Sequence, residues 1–213
     1  MTAGSNSGTH FHVAAAGAAS FPALQAAVGP WLPYAMAGAA ACCTLLILLM
    51  ALAPTAAITQ RSARSNTPLV VLGVLYGAVL LASWSPDTLH LMMPGSLEEG
   101  LKGGFNPQFF PTLGSVMALF SRPFTAASFL LHVAAINLIA ARSAYLDGLV
   151  SRVPTAHSIL LSAVVGPLGL LCHQLTKGTY SLLAALTGKD LRPAARPVAE
   201  KSGSGTITIM PYE

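Results

Sequence analysis

The sequence is short of charge. Only 8% of its 213 residues are Asp, Glu, Lys or Arg, and none of these precedes Arg61. A soluble domain carries roughly 25% charged residues. So sparse a supply cannot cover a surface that faces water, which excludes an ordinary soluble domain and leaves an integral membrane protein. Cysteine is scarce as well. Cys42, Cys43 and Cys172 show no CxxC spacing, so neither a zinc site nor a dithiol redox centre is indicated, and all three read as small apolar fillers.

Catalytic signatures of soluble enzymes are missing too: there is no HExxH, phosphate loop, dinucleotide fingerprint or GxSxG. No carboxylate falls within the apolar segments described below. That removes paired-carboxylate catalysis and ranks proton-driven transport low. The net charge is +4, but no nucleic-acid reading module accompanies it, so no nucleic-acid partner is expected. Residues 1–30 carry neither the basic opening of a secretory signal nor the arginines of a transit peptide, so the expectation is that import uses another signal or that the numbering starts at a processed terminus.

What is present is hydrocarbon. The chain is 54% hydrophobic with a mean hydropathy of +0.64. A spanning helix needs about 20 mainly apolar residues. Four stretches qualify: Tyr34–Ala53, Pro68–Trp84, Phe124–Ala141 and Ser158–Leu175. Trp31 and Trp84 read as interface anchors, and Thr67-Pro68 as a helix start. Between spans two and three, Leu113, Val116, Met117 and Phe120 recur at i, i+3, i+4, i+7, bounded by Pro111 and Pro123. This pattern predicts a short amphipathic helix on the membrane surface. The expected fold is therefore all-α: an integral membrane bundle of four transmembrane helices plus that surface helix. An Ala/Gly-rich segment over 1–33 precedes a membrane domain over 34–187, and a basic tail over 188–213 follows it. Orientation stays open, because the arginines of the short loops (Arg61, Arg64, Arg142, Arg152) are balanced by the basic tail.

Polar groups inside oil carry the functional expectations. His132 and Asn137 lie in "SFLLHVAAINLIAARSAY", which Arg142 closes. Five residues place the first two about 140° apart on a helix, so one ligand held by both is not expected. His157 and His173 bracket span four, which puts them ~24 Å apart along one helix and at opposite membrane surfaces. His90 sits in the long loop. Three roles compete for these histidines: interhelical hydrogen bonding, axial ligation of a tetrapyrrole metal (His132, His157 and His173 above all), and proton transfer. Gly73 and Gly77 form a GxxxG pair in span two, open either to a packed helix of the same chain or to a flat ligand.

The stretches "LLHVAAINLIAARS", "VPTAHSILLSAVVGPLGLLCHQLTK" and "LGSVMALFSRPF" carry a resemblance. Together they resemble the ABA-deficient-four-like membrane family, associated with neoxanthin formation in chloroplasts. That family shows W-x-H-Y-L-A-F-D-L-F-x-G-R-W in one span and G-P-x-G later. His132 and Arg142 match the first pattern; Pro154, Gly166, Pro167 and Gly169 match the second. Leu130, Val133, Ile136 and Ala141 replace the family's Trp, Tyr, Phe and Gly, and Asn137 stands where the family has Asp.

The resemblance implies a multi-pass protein of the thylakoid or another plastid membrane. Its first implied function is a pigment-associated structural subunit of a photosynthetic complex, bridging antenna and core. Such a subunit would bind carotenoid and chlorophyll through His132, Asn137, His157, His173, His90, Gly73 and Gly77, with photosystem or antenna subunits and the lipid bilayer as partners. The alternative is a carotenoid-converting enzyme that isomerises an epoxide to an allene, with His132 as acid or base and Arg142 or His157 assisting. A haem-binding membrane protein is the third reading.

Overall fold

The computed structural model describes residues 20–92 and 111–193, and among them the secondary structure is helical. Ser20–Val28 (α1) runs through a 3-10 turn at Gly29–Trp31 into Leu32–Leu52 (α2). Then come Ala57–Arg64 (α3), Thr67–Ser83 (α4) and Thr88–Met92 (α5). Leu113–Phe120 (α6) and Pro123–Ser151 (α7) lead to Ala156–Val164 (α8) and Gly166–Thr187 (α9).

Proline and capping chemistry set many of these boundaries. Pro30 and Pro33 fall at helix starts, where the missing N–H costs nothing, and Pro54 follows the end of α2. Thr112 caps α6, its hydroxyl accepting the Ser115 N–H at 3.2 Å. Pro123 then opens α7. The Thr67 N–H donates to Ser65 Oγ at 3.1 Å, and α4 starts there.

Two helices are long and apolar enough to cross a membrane: the continuous run Pro22–Leu52 and Pro123–Ser151. A third crossing results if α3 and α4, which meet at 49°, act together. Alone, α4 has 17 residues, or ~25 Å of helix, against a hydrocarbon thickness of about 30 Å. Large apolar side chains point outward on all of them, including Leu52, Val70, Val71, Val74 and Leu81. That surface suits lipid and would be costly in water. On α6, Leu113, Met117 and Phe120 are exposed while Leu119 is buried.

The single span expected over Ser158–Leu175 is replaced by a helical hairpin. The chain reverses at Val165 (φ −136°, ψ 87°), between α8 and α9. His157 Nε2 lies 2.9 Å from Thr176 Oγ1, although a straight helix would part them by ~28 Å. At nine residues α8 is ~14 Å long, half of what a crossing requires. The third expected span, Phe124–Ala141, is also revised: α7 continues ten residues further, to Ser151. Arg142 and Asp147, which read as loop charges, are satisfied by protein groups, so the helix need not end in water to hydrate them.

The described residues divide into two compact units, drawn from Met1–Pro33 with Gly77–Ser128, and from Tyr34–Tyr76 with Phe129–Glu213. In the first, Gln25 Nε2 donates to the Ala82 carbonyl at 2.7 Å, and Arg122 binds both Ser85 Oγ and the Asp87 carboxylate. The Arg122 guanidinium and the Ser85 hydroxyl hold the Asp87 carboxyl down to about 2. The second unit contains the polar groups of interest. Its core comprises Leu131, Leu138, Ala141, Ala144, Tyr145 and Ile159, all nearly or fully buried.

Candidate functional site

Helix α7 distributes its polar residues to different neighbours. His132 is nine residues, or ~14 Å, from the start of α7. Its imidazole is exposed on the outer face of the unit and meets the Tyr76 ring, with centroids 5.4 Å apart and planes tilted by 41°. Tyr76 is on α4, one turn after Gly73. A side chain added at Gly73 or at Gly77 would meet nothing within 4 Å. Neither glycine is therefore required for packing among the described residues. An exposed imidazole next to a phenol offers a proton acceptor and a proton donor to a molecule that reaches this face. Tyr76 was not among the residues singled out from sequence. Its position inside Gly73-Val-Leu-Tyr-Gly77 was the available signal.

Asn137, only 9% exposed, does something else. Its Oδ1 accepts the Gly166 N–H at 2.9 Å while its Nδ2 donates to the Ala163 carbonyl at 3.0 Å. It thus satisfies one orphan acceptor at the end of α8 and one orphan donor at the start of α9. A carboxamide can do both because it presents a donor and an acceptor; a carboxylate is an acceptor only. His132 and Asn137 accordingly have separate partners.

The glycines of G-P-x-G acquire separate reasons. A Cβ at Gly166 would fall 2.8 Å from Asn137 Oδ1 and 3.1 Å from the Asn137 backbone. One at Gly169 would fall 2.0 Å from Ser162 Oγ and 2.5 Å from the Ser162 backbone nitrogen. The first glycine presses the hairpin tip onto α7, and the second presses α9 onto α8. Pro167 fits the first turn of α9. Gly148 provides a third close approach, where a Cβ would meet Thr155 at 2.0 Å.

At the base of the hairpin His173, 1% exposed, places Nε2 2.6 Å from Asp147 Oδ2. Lys177 Nζ reaches the same carboxylate at 2.9 Å. His157 and His173 therefore lie at the same end of the hairpin, which corrects the expectation that they occupy opposite membrane surfaces. His173 Nδ1 is buried without a hydrogen-bond partner among the described residues. Tetrapyrrole ligation through Nε2 would have to break the Thr176 contact at His157 or the Asp147 contact at His173. Among the described residues no group of three His, Cys, Asp or Glu could hold a metal ion.

Arg142 closes the end of α3. Its Nε donates to the Ala63 carbonyl at 2.5 Å and its Nη2 to Asn66 Oδ1 at 3.0 Å, so a cation sits on the C-terminal carbonyls of that helix. Ten residues, ~15 Å of α7, separate it from His132, and His157 belongs to the hairpin base. The structure thus does not gather His132, Arg142 and His157 into one site. It joins His132 to Tyr76 instead. The side chain of His90, expected among the pigment contacts, lies outside the described residues.

A model of the family described as ABA DEFICIENT 4-like matches residues 35–173 of the chain. The chain is also similar to Protein ABA DEFICIENT 4, chloroplastic, from Arabidopsis thaliana, at 36% identity over 129 residues. That alignment takes in 61% of this chain and 54% of the relative, so the chain spans about half the length of the curated protein it matches. No solved structure matches.

Proposed function

The chain belongs to the ABA DEFICIENT 4-like family, and from that premise we propose that it converts a carotenoid epoxide to an allenic carotenoid within a plastid membrane, with His132 and Tyr76 handling the proton. The observation that carries this reading is the tilted His132–Tyr76 ring contact between α4 and α7, with His132 exposed. The reaction is an isomerisation and needs no external oxidant or reductant. The imidazole takes the proton from the vinylic carbon adjoining the epoxide. The electrons left behind form the second double bond of the allene and break the neighbouring carbon–oxygen bond. The resulting alkoxide takes a proton from the phenol, and the imidazolium returns its proton to the phenolate. A polyene is long, flat and comparable to the ~30 Å hydrocarbon thickness, so it can lie along these helices while one end group reaches the pair. Within this reading, Pro22–Leu52, α3–α4 and α7 cross the bilayer, α6 lies on its surface, and the α8–α9 hairpin enters and returns.

A second reading is favoured by the broad outward apolar surface. It is a non-catalytic subunit that holds carotenoid or chlorophyll among photosystem or antenna subunits of the thylakoid. One experiment separates the two. The purified chain is reconstituted in lipid, incubated with violaxanthin, and its pigments are chromatographed. Conversion to neoxanthin that disappears with His132→Ala supports the isomerase. Retention of unconverted pigment by the wild-type chain, together with its copurification with chlorophyll-protein complexes from native membranes, rejects it in favour of the subunit.

A further inference from the structure

A second site is built around Arg142, away from the His132–Tyr76 pair. Helices α2, α3, α4 and α7 line a slot that Leu49, Met50, Leu69 and Leu138 make apolar, with Arg142 and Thr59 also on its walls. It is partly open, with about 340 Å³ of space outside the atoms when the solvent at its mouth is counted. Its apolar walls suit a hydrocarbon chain lying along the open side.

Its polar groups are unfinished. Arg142 is held on backbone carbonyls and Asn66 through Nε and Nη2, which leaves Nη1 with no partner among the described residues. The ion pairs of the described residues involve Asp87, Asp147 and Asp190, and none includes Arg142. No acidic residue precedes Asp87 in the sequence, so α2, α3 and α4, which supply most of the slot's lining, contain no carboxylate. Thr59 is 1% exposed, and its hydroxyl is buried with no hydrogen-bond partner among the described residues. Such a hydroxyl would be costly to keep without an acceptor.

We propose that this slot binds one anionic membrane lipid. The headgroup phosphate or sulfonate takes the free guanidinium edge of Arg142, an acyl ester carbonyl accepts from Thr59, and the chain lies against Leu49, Leu69 and Leu138. A guanidinium suits this task because its planar donors match a tetrahedral oxyanion. The chain contact distinguishes a lipid from a free anion.

The test is native mass spectrometry of the detergent-solubilised full chain after exposure to phosphatidylcholine, phosphatidylglycerol or inorganic phosphate. The expected result is one phosphatidylglycerol retained per chain, with about tenfold preference over phosphatidylcholine, the order expected for a charge-assisted contact. Arg142→Gln removes the preference. Leu69→Trp fills the slot, leaves every charge in place, and reduces retention of phosphatidylglycerol. Equal retention of the two lipids by the wild-type chain overturns the proposal, as does competition by inorganic phosphate at equal strength. Should Arg142→Gln fail to fold, the wild-type comparison and Leu69→Trp decide alone.

Discussion

Replacing Asn137 tests how the hairpin is held. In the wild-type chain its carboxamide accepts from Gly166 N–H at 2.9 Å and donates to the Ala163 carbonyl at 3.0 Å. Asn137→Ala removes both bonds and leaves two backbone groups at the reversal without their partner. Each unsatisfied buried group costs about 1–3 kcal/mol, so the variant should lose about 2–6 kcal/mol. The upper end requires that neither group finds water or a new partner. Asn137→Asp keeps the acceptor toward Gly166 but not the donor toward Ala163, and should lose about 1–3 kcal/mol at neutral pH. Unfolding in mixed micelles of mild detergent and dodecyl sulfate gives the difference directly. A cysteine introduced by Ser162→Cys, at a position fully buried in the wild type, reports separation of α8 and α9 by its rate of alkylation in a Cys42→Ser background, which should rise in the Ala variant. Stability within 0.5 kcal/mol of wild type for Asn137→Ala, with unchanged alkylation, would mean that packing holds the reversal and that the carboxamide is incidental; this margin is the usual spread of neutral substitutions, about 0.5 kcal/mol.

Other substitutions probe neighbouring elements. Gly169→Ala would put a methyl 2.5 Å from the Ser162 backbone nitrogen, so α8 and α9 must separate and the protein should lose its monodisperse peak on size exclusion. Asp147→Ala leaves Lys177 without its carboxylate and buried His173 without its acceptor; a loss of about 1–3 kcal/mol in the same micelle titration is expected. The Asp87 carboxyl, held at about 2 by Arg122 and Ser85 against an ordinary 3.8, should titrate near 2 by carbon NMR. Because its folded-state value is lowered, the Arg122 contact is fully present above pH ~4 and is lost as pH falls toward 2. A midpoint near 4, unchanged by Arg122→Gln, would show that the pair does not form.

Several elements were legible in the sequence because they rest on local rules. The i, i+3, i+4, i+7 spacing and flanking prolines gave Leu113–Phe120 at its observed bounds. Thr67-Pro68 marked the start of α4 to within a residue. The hairpin was not legible, because hydropathy averages a window and cannot register a reversal at one residue. Ser158–Leu175 is oily whether it is one helix or two. Its G-P-x-G was visible as a pattern, but its cause is tertiary: Gly166 faces Asn137 and Gly169 faces Ser162. The extension of α7 past Ala141 was hidden for a related reason. Arg142 and Asp147 look like loop charges until their partners at Ala63, Asn66, His173 and Lys177 are known. His132 stood out as a polar group in an apolar run, whereas Tyr76 did not, since a tyrosine in such a run is an ordinary interface residue.

The measurement that bears most directly on the account is the initial rate of violaxanthin conversion in proteoliposomes, compared between wild type and folded His132→Ala protein. General acid–base catalysis contributes about 10²–10⁴-fold, so the account predicts a rate reduced by at least about a hundredfold, with Tyr76→Phe also impaired. Conversion by His132→Ala within about threefold of wild type, well inside that range, would contradict the assignment of proton transfer to the exposed pair on α4 and α7.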